Sequence, residues 1–269
     1  MRPLLGLLLL ASLALAQRVT LGAYGEAGYW TPSLELAYPL SDLTLRAQAQ
    51  RGALGLGVER ALELGPAGRV AYGALAAGGA GGLGARAFLQ GGLGPAALEV
   101  RLAYATLPWK RLFVGWTDPA GLSGSLEGRY RLSPEATLGL ALGYGDLGLG
   151  LLPWGPPAWG TEGRYGVRAG SWSYTLGLGF RQGPYALVGW RAELDEEGTV
   201  GEAVLRLGAA NRLEARLYAP LGEDTLGLRL ALGYPFRAAW GVAWGGLSLE
   251  GAYDGSYALW LRYAWETGR

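Results

Sequence analysis

The side chains able to do chemistry in this sequence are arginines and carboxylates, and they recur at every second position. Glu99 is followed by Arg101; Glu127, Arg129 and Arg131 form one run, Glu162, Arg164 and Arg168 another, and Arg212, Glu214 and Arg216 a third. Residues two apart in an extended chain point the same way, so each run is a strip of guanidinium and carboxylate groups on one face of a strand. Such strips can pair with one another or line a watery passage. The chain of 269 residues contains no His and no Cys. That excludes Ser-His and Cys-His nucleophile pairs, zinc sites built on His or Cys, and disulfides. Hydrolysis by carboxylates alone is the enzymatic chemistry left open, and the expectation is that the protein is not an enzyme. Lys+Arg (23) nearly balances Asp+Glu (22), which gives nucleic acid no basic face.

The elements that must carry these strips are strands. Leu43, Leu45, Ala47 and Ala49 oppose Thr44, Arg46, Gln48 and Gln50. Leu98, Val100, Leu102 and Tyr104 oppose Glu99, Arg101 and Ala103, and Leu226, Leu228, Leu230, Leu232 and Tyr234 oppose Thr225, Gly227, Arg229, Ala231 and Gly233. A helix would scatter these residues around its circumference; a period of two keeps them on two faces. Compact turn signals separate the runs, among them Leu40-Ser41-Asp42, Gly170-Ser171, Glu196-Glu197-Gly198, Gly222-Glu223-Asp224 and Asp254-Gly255. The pattern predicts one antiparallel meander with nineteen candidate strands between residues 18–29 and 256–265. Bacterial single-chain membrane barrels have even strand numbers, so the expectation is eighteen, with sixteen as the alternative, and 109–116 or 236–245 is the candidate to drop. Residues 1 to 16 read as a signal peptide: Met1-Arg2, an apolar stretch from Leu4 to Leu10, and Ala14-Leu15-Ala16 as a cleavage pattern. Residues 17 to 269 read as a single domain.

An alternating sheet buries its apolar face against a second sheet or turns it to hydrocarbon. The opposite face here is too charged for a packed interior, and the 15 Tyr and 11 Trp against 4 Phe match the bias at a boundary between hydrocarbon and water. Tyr29, Trp30, Tyr38, Tyr104, Tyr144, Trp172, Tyr234, Tyr253, Tyr257 and Trp265 fall near strand ends, as do Trp109 and Trp116, and are expected at two membrane interfaces. A sheet in lipid can have no free edge, so the last strand must pair with the first.

Together, the signal peptide, meander, aromatic bias and final strand resemble a bacterial outer-membrane β-barrel of the porin-like kind. The resemblance is architectural and covers the chain after the signal peptide. It implies a closed antiparallel transmembrane β-barrel in the cell outer membrane, with outer-membrane lipid and the barrel-assembly machinery as partners. In that class the machinery reads a last strand that ends on an aromatic. Tyr257, Leu259, Leu261, Tyr263 and Trp265 have the required spacing, although Glu266, Thr267, Gly268 and Arg269 follow.

On the same phase the inward bases are Arg46, Arg86, Arg101, Arg129, Arg131, Arg164, Arg168, Arg191, Arg206, Arg212, Arg216, Arg229 and Arg262. The inward acids are Glu26, Glu35, Glu59, Glu99, Glu127, Glu162, Glu193, Glu202, Glu214 and Glu250. Small residues such as Gly139, Ala141, Gly143 and Gly145 alternate with them and would leave space. The functional expectation is a pore for small polar solutes with a weak anion preference and no cofactor. Two alternatives stand beside it: a structural or anchoring barrel whose Arg and Glu pair to fill the lumen, and a soluble periplasmic sheet that carries lipid. Two segments, Thr106 to Leu122 and Leu147 to Thr161, are long enough to constrict a bore or cap it. Gly143-Tyr144-Gly145-Asp146-Leu147-Gly148 matches a dinucleotide fingerprint by letter but lacks a following helix, and Gly78 to Gly82 lacks the Lys-Ser/Thr of a phosphate loop. Asp195-Glu196-Glu197 and Glu223-Asp224 read as solvated turns before cation ligands.

Overall fold

The structure is a computed structural model that describes residues 18–26, 29–50, 52–79, 82–106, 120–145, 158–209, 211–253 and 255–266. Eighteen strands follow one another in a meander. They are β1 (Arg18–Glu26), β2 (Tyr29–Leu40), β3 (Leu43–Gln50), β4 (Ala53–Glu63), β5 (Gly68–Gly79), β6 (Gly82–Leu93), β7 (Ala96–Ala105), β8 (Gly121–Arg131), β9 (Ala136–Gly145), β10 (Ala158–Ala169), β11 (Trp172–Phe180), β12 (Pro184–Glu193), β13 (Val200–Gly208), β14 (Arg212–Leu221), β15 (Asp224–Gly233), β16 (Arg237–Trp244), β17 (Leu247–Tyr253) and β18 (Tyr257–Glu266). Each pairs antiparallel with its sequence neighbours, and β1 also pairs with β18 from Arg18↔Glu266 to Glu26↔Ala258. That last ladder closes the barrel, so the backbone groups of the edge strands are paired. No helix among the described residues is long and apolar enough to cross a membrane.

The candidate strand 236–245 is present as β16, while 109–116 lies outside the described residues. The largest boundary shifts from the sequence expectation fall at two places. The first candidate strand, 18–29, ends at Glu26, and Tyr29 and Trp30 open β2 instead, because the chain reverses between them and Tyr29 pairs with Glu26. β10 begins at Ala158, three residues before the expected start, because Ala158 and Trp159 continue the ladder to Gly145 and Tyr144. The proline-rich stretch hides that continuation from a period-two count. The turns use the expected residues: Gly170 has φ 63° and Gly222 φ 66°, a region where L side chains are strained. The signal-peptide segment lies outside the described residues.

The two faces separate cleanly. Leu54, Leu56, Leu102, Leu140, Leu176, Leu178, Val188 and Leu230 all stand exposed on the outer surface. Side chains that bond across non-neighbouring strands mark the concave side, since only there can they meet. All eighteen strands run between two rims. One carries Arg18, Glu266 and the short turns at 41–42, 170–171 and 222–223; the opposite rim carries the two longest connections, 106–120 and 146–157. A ten-residue strand rises about 33 Å and, tilted near 40°, spans about 25 Å, the height of the apolar band of membrane barrels.

Outward aromatics gather at both rims. Trp30, Tyr104, Tyr144, Trp159, Phe180, Tyr253 and Tyr257 lie toward the long connections, and Tyr38, Tyr72, Tyr130, Trp172, Tyr174, Trp244, Tyr263 and Trp265 toward the terminal rim. Ring pairs knit neighbours together: Tyr144 with Trp159 at 5.2 Å, Trp172 with Trp190 at 5.5 Å and Tyr253 with Tyr257 at 4.8 Å between centroids. Tyr234 is exposed in the turn after β15. Trp109 and Trp116 lie outside the described residues, and of the Tyr29 side chain nothing is described.

Candidate functional site: the charged inner wall

Apart from Glu26, the expected lining charges share the strand phase of the side chains that bond across the barrel. Cross-strand partners share a face, so Arg191↔Glu202↔Arg216↔Arg229 and Leu187↔Arg206↔Arg212 line up on one surface. What the period could not reveal is which charges meet. Arg129 donates from Nη2 to Glu127 Oε1 (2.8 Å), and Arg164 Nη1 donates to the same oxygen (3.0 Å). Arg164 also pairs through Nε with Glu162. The Glu162 carboxylate accepts from Arg206 Nε (2.9 Å) and from the Tyr185 hydroxyl (2.9 Å). Arg206 Nη1 then reaches Glu214 (2.9 Å), which pairs with Arg212 (2.8 Å). The result is an unbroken alternation Arg129–Glu127–Arg164–Glu162–Arg206–Glu214–Arg212 from β8 to β14, with Glu162, 3% exposed, at its centre.

This chain skips strands, and the skipped strands carry the small residues. Arg164 reaches past β9, whose inward positions include Gly139, Ala141 and Gly143; a Cβ on Gly139 would lie 3.5 Å from Arg164 Cβ. Tyr185 on β12 crosses β11 to reach Glu162 on β10. It lies over Gly179, where a Cβ would stand 2.2 Å from the ring. The expectation that small inward residues leave open bore is therefore corrected on this wall: several serve as the floor under bridging side chains. Gly179→Leu should displace the Tyr185 ring, break its bond to Glu162 and lower stability by about 1–3 kcal/mol. Gly163→Ala, on the outer phase with its nearest atom 4.0 Å away, should change stability by under about 1 kcal/mol. Urea unfolding of the two variants in detergent micelles compares them directly.

The remaining charges form smaller groups. Arg46 on β3 sits between Glu35 and Glu59 on the flanking strands, with Nε 2.8 Å from Glu59. Arg262 bonds to Glu250 (3.1 Å), Arg191 pairs with Glu202 (3.0 Å), Arg168 approaches Glu193 (3.9 Å), and Arg101 pairs with Glu99. Arg86 faces inward in a recess with Glu35, Arg46 and Phe88. Of the Glu26 side chain nothing is described. A recess of about 460 Å³ opens beside the long ion chain, lined among others by Thr137, Thr175, Arg129, Arg164, Arg206 and Arg216.

Sequence reasoning missed several inward groups. Tyr24 on β1 and Trp260 on β18 are direct cross-strand partners, 4.7 Å between ring centroids and each 1% exposed. They pack with Ala252 and Ala258 inside the closing seam. The signal was present: once Leu259 and Leu261 point out, Trp260 must point in. Arg181 is buried in the turn after β11 and donates to the Gly145 carbonyl (3.0 Å). Gln48 and Gln50 lie on the polar face as their phase predicts, yet both are buried, and Gln48 Oε1 and both amide atoms of Gln50 lack hydrogen-bond partners among the described residues.

No group of three or more His, Cys, Asp or Glu able to hold a metal occurs among the described residues. In the turn after β12, Thr199 N–H donates to Asp195 Oδ1 (2.8 Å). Hydrogen bonds from the Thr199 side chain and backbone hold that exposed carboxyl below its ordinary range, so it acts as an acceptor within its own turn. Gly143-Tyr144-Gly145 is the end of β9, and Asp146 onward lies outside the described residues.

No protein-family model and no curated protein matches this chain. Among solved structures, a mutant of the Rh. blastica porin is similar at 10% identity and a TM-score of 0.47, over 92% of this chain and 98% of that one. The CymD monoaromatic hydrocarbon channel is similar at 10% identity and a TM-score of 0.34, over 93% and 87%. The KdgM porin in complex with disordered oligogalacturonate gives 8%, 0.27, and 93% and 99%.

Proposed function

We propose that this barrel spans the outer membrane and forms a passive pore for small hydrophilic solutes, with a modest preference for anions. The observation that carries the reading is the opposition of the two faces. A belt of exposed leucines lies between two aromatic rims outside, and an arginine-rich, partly paired surface with open recesses lies inside. Water must cover those charges, and lipid suits the leucines. Inward arginines outnumber inward glutamates, which raises the local concentration of anions in a narrow passage. β18 carries Tyr257, Leu259, Leu261, Tyr263 and Trp265 on its outer phase, the surface expected to meet the barrel-assembly machinery.

The continuous ion chain favours a second reading, in which pairing holds the wall shut and the barrel is structural. Planar-bilayer recording separates them. A pore gives stepwise conductance, and under a KCl gradient its reversal potential indicates anion preference. Absence of conductance supports the structural barrel, and a clear cation preference contradicts the charge assignment.

A further inference from the structure

Among the inward arginines, Arg216 and Arg229 differ from the rest. They are direct cross-strand partners on β14 and β15, each near the middle of its strand. Among the described residues neither forms an ion pair. The acids around them are engaged elsewhere: Glu202 with Arg191, Glu214 with Arg206 and Arg212, and Glu250 with Arg262. Side chains directly opposite on one face have Cβ atoms about 5 Å apart, and like charges in that position destabilise the sheet. Arg206 and Arg212 also stand opposite each other but share Glu214; Arg216 and Arg229, opposed at mid-height with no ion pair among the described residues, leave a charge that a bound anion would neutralise.

We propose that Arg216 and Arg229 form an oxyanion-binding site in the bore, selecting solutes that carry a phosphate group, free or esterified. The proposal rests on the pore reading and names its preferred solute class. Two planar guanidinium forks match the oxygens of a phosphate better than a spherical halide. Arg216 lines a recess shared with Thr137 and Thr175, which can add hydroxyl donors, and with Glu127, Glu202 and Glu214, each paired with another arginine. Around Arg229 the inward neighbours are small: Gly227 and Ala231 on its own strand, Ala239, Gly241 and Ala243 on β16. None of these neighbours carries a charge that would pair with Arg229 or repel an anion.

Inorganic phosphate is the probe, titrated into the purified full-length barrel in detergent micelles and into single channels in bilayers. Wild type should gain thermal stability with phosphate and show phosphate-dependent reduction of chloride current. Arg229→Gln should weaken phosphate binding at least tenfold and abolish the block, and without phosphate it should melt at or above the wild-type temperature, because a like-charge contact is removed. Arg229→Lys, which keeps the charge but loses the fork, should fall between them. Arg131→Gln, an inward arginine at the terminal rim, should bind phosphate as wild type does. Equal phosphate binding by wild type and Arg229→Gln overturns the site. Conductance without phosphate binding overturns the site and leaves the pore; phosphate binding lost in Arg229→Gln without conductance keeps the site and removes the pore.

Discussion

Glu162→Gln is expected to lower the stability of the barrel by about 3–5 kcal/mol, the range for removing one partner of a buried ion pair. Glu162 is buried and receives Arg164, Arg206 and the Tyr185 hydroxyl together. Glutamine keeps the shape and one acceptor but removes the charge that offsets two guanidinium groups. Arg206, whose side chain is 15% exposed, would retain Glu214 as its one acidic partner among the described residues. The cost therefore arises mostly from the arginine left behind, and a double mutant distinguishes this. Glu162→Gln combined with Arg206→Met should recover part of the loss, because a buried pair replaced by apolar volume is often neutral. Tyr185→Phe, which loses one hydroxyl donor to a charged acceptor, should cost about 1.5–3 kcal/mol. Reversible urea unfolding in lipid vesicles measures all three. A loss below about 1 kcal/mol for Glu162→Gln would show that water, rather than Glu162, satisfies these arginines.

The second large effect lies on the opposite surface. Leu140 is exposed on β9 between Leu138 and Leu142, with Tyr144 toward one rim and Tyr130, paired with Leu138, toward the other. Leu140→Arg should destabilise the barrel in bilayers by about 2–4 kcal/mol, as a cation placed near the membrane midplane does. Thr137→Arg, three residues earlier and on the inward phase in the charged recess, should cost under about 1 kcal/mol. The contrast depends on lipid: in urea-folding assays the difference should shrink when thick bilayers are replaced by short-chain micelles. Equal costs at both positions would mean that the leucine face does not meet hydrocarbon.

The fold was legible because membrane-type strands are long and regular. In β15, four leucines and an arginine between a Gly222-Glu223 turn and a Tyr234-Pro235-Phe236 turn leave one phase and one register. The boundaries that slipped lie where alternation is broken for other reasons. Trp30 and Pro32 share the outer phase of β2 opposite Thr31, but Pro32 reads from sequence as a break in a strand, and β10 starts behind a run of prolines. The site was legible only as a list. Alternation assigns each arginine to a face but is silent on reach. Arg206 meets Glu162 three strands away because β11 is floored with Gly177 and Gly179, a relation set by barrel curvature. The same limit hid Tyr24 and Trp260, which are far apart in sequence and meet only when the last strand returns to the first.

Because the chain contains no Cys, single cysteines can be placed without background. Ser173 and Thr175 on β11 face inward, and Leu176 and Leu178 outward. In reconstituted vesicles, cysteines at 173 and 175 should react rapidly with a membrane-impermeant thiol reagent, while those at 176 and 178 should resist it and accept a lipid-soluble one. Uniform reactivity along the four positions, or the reverse alternation, would contradict a barrel with leucine toward lipid and arginine toward water.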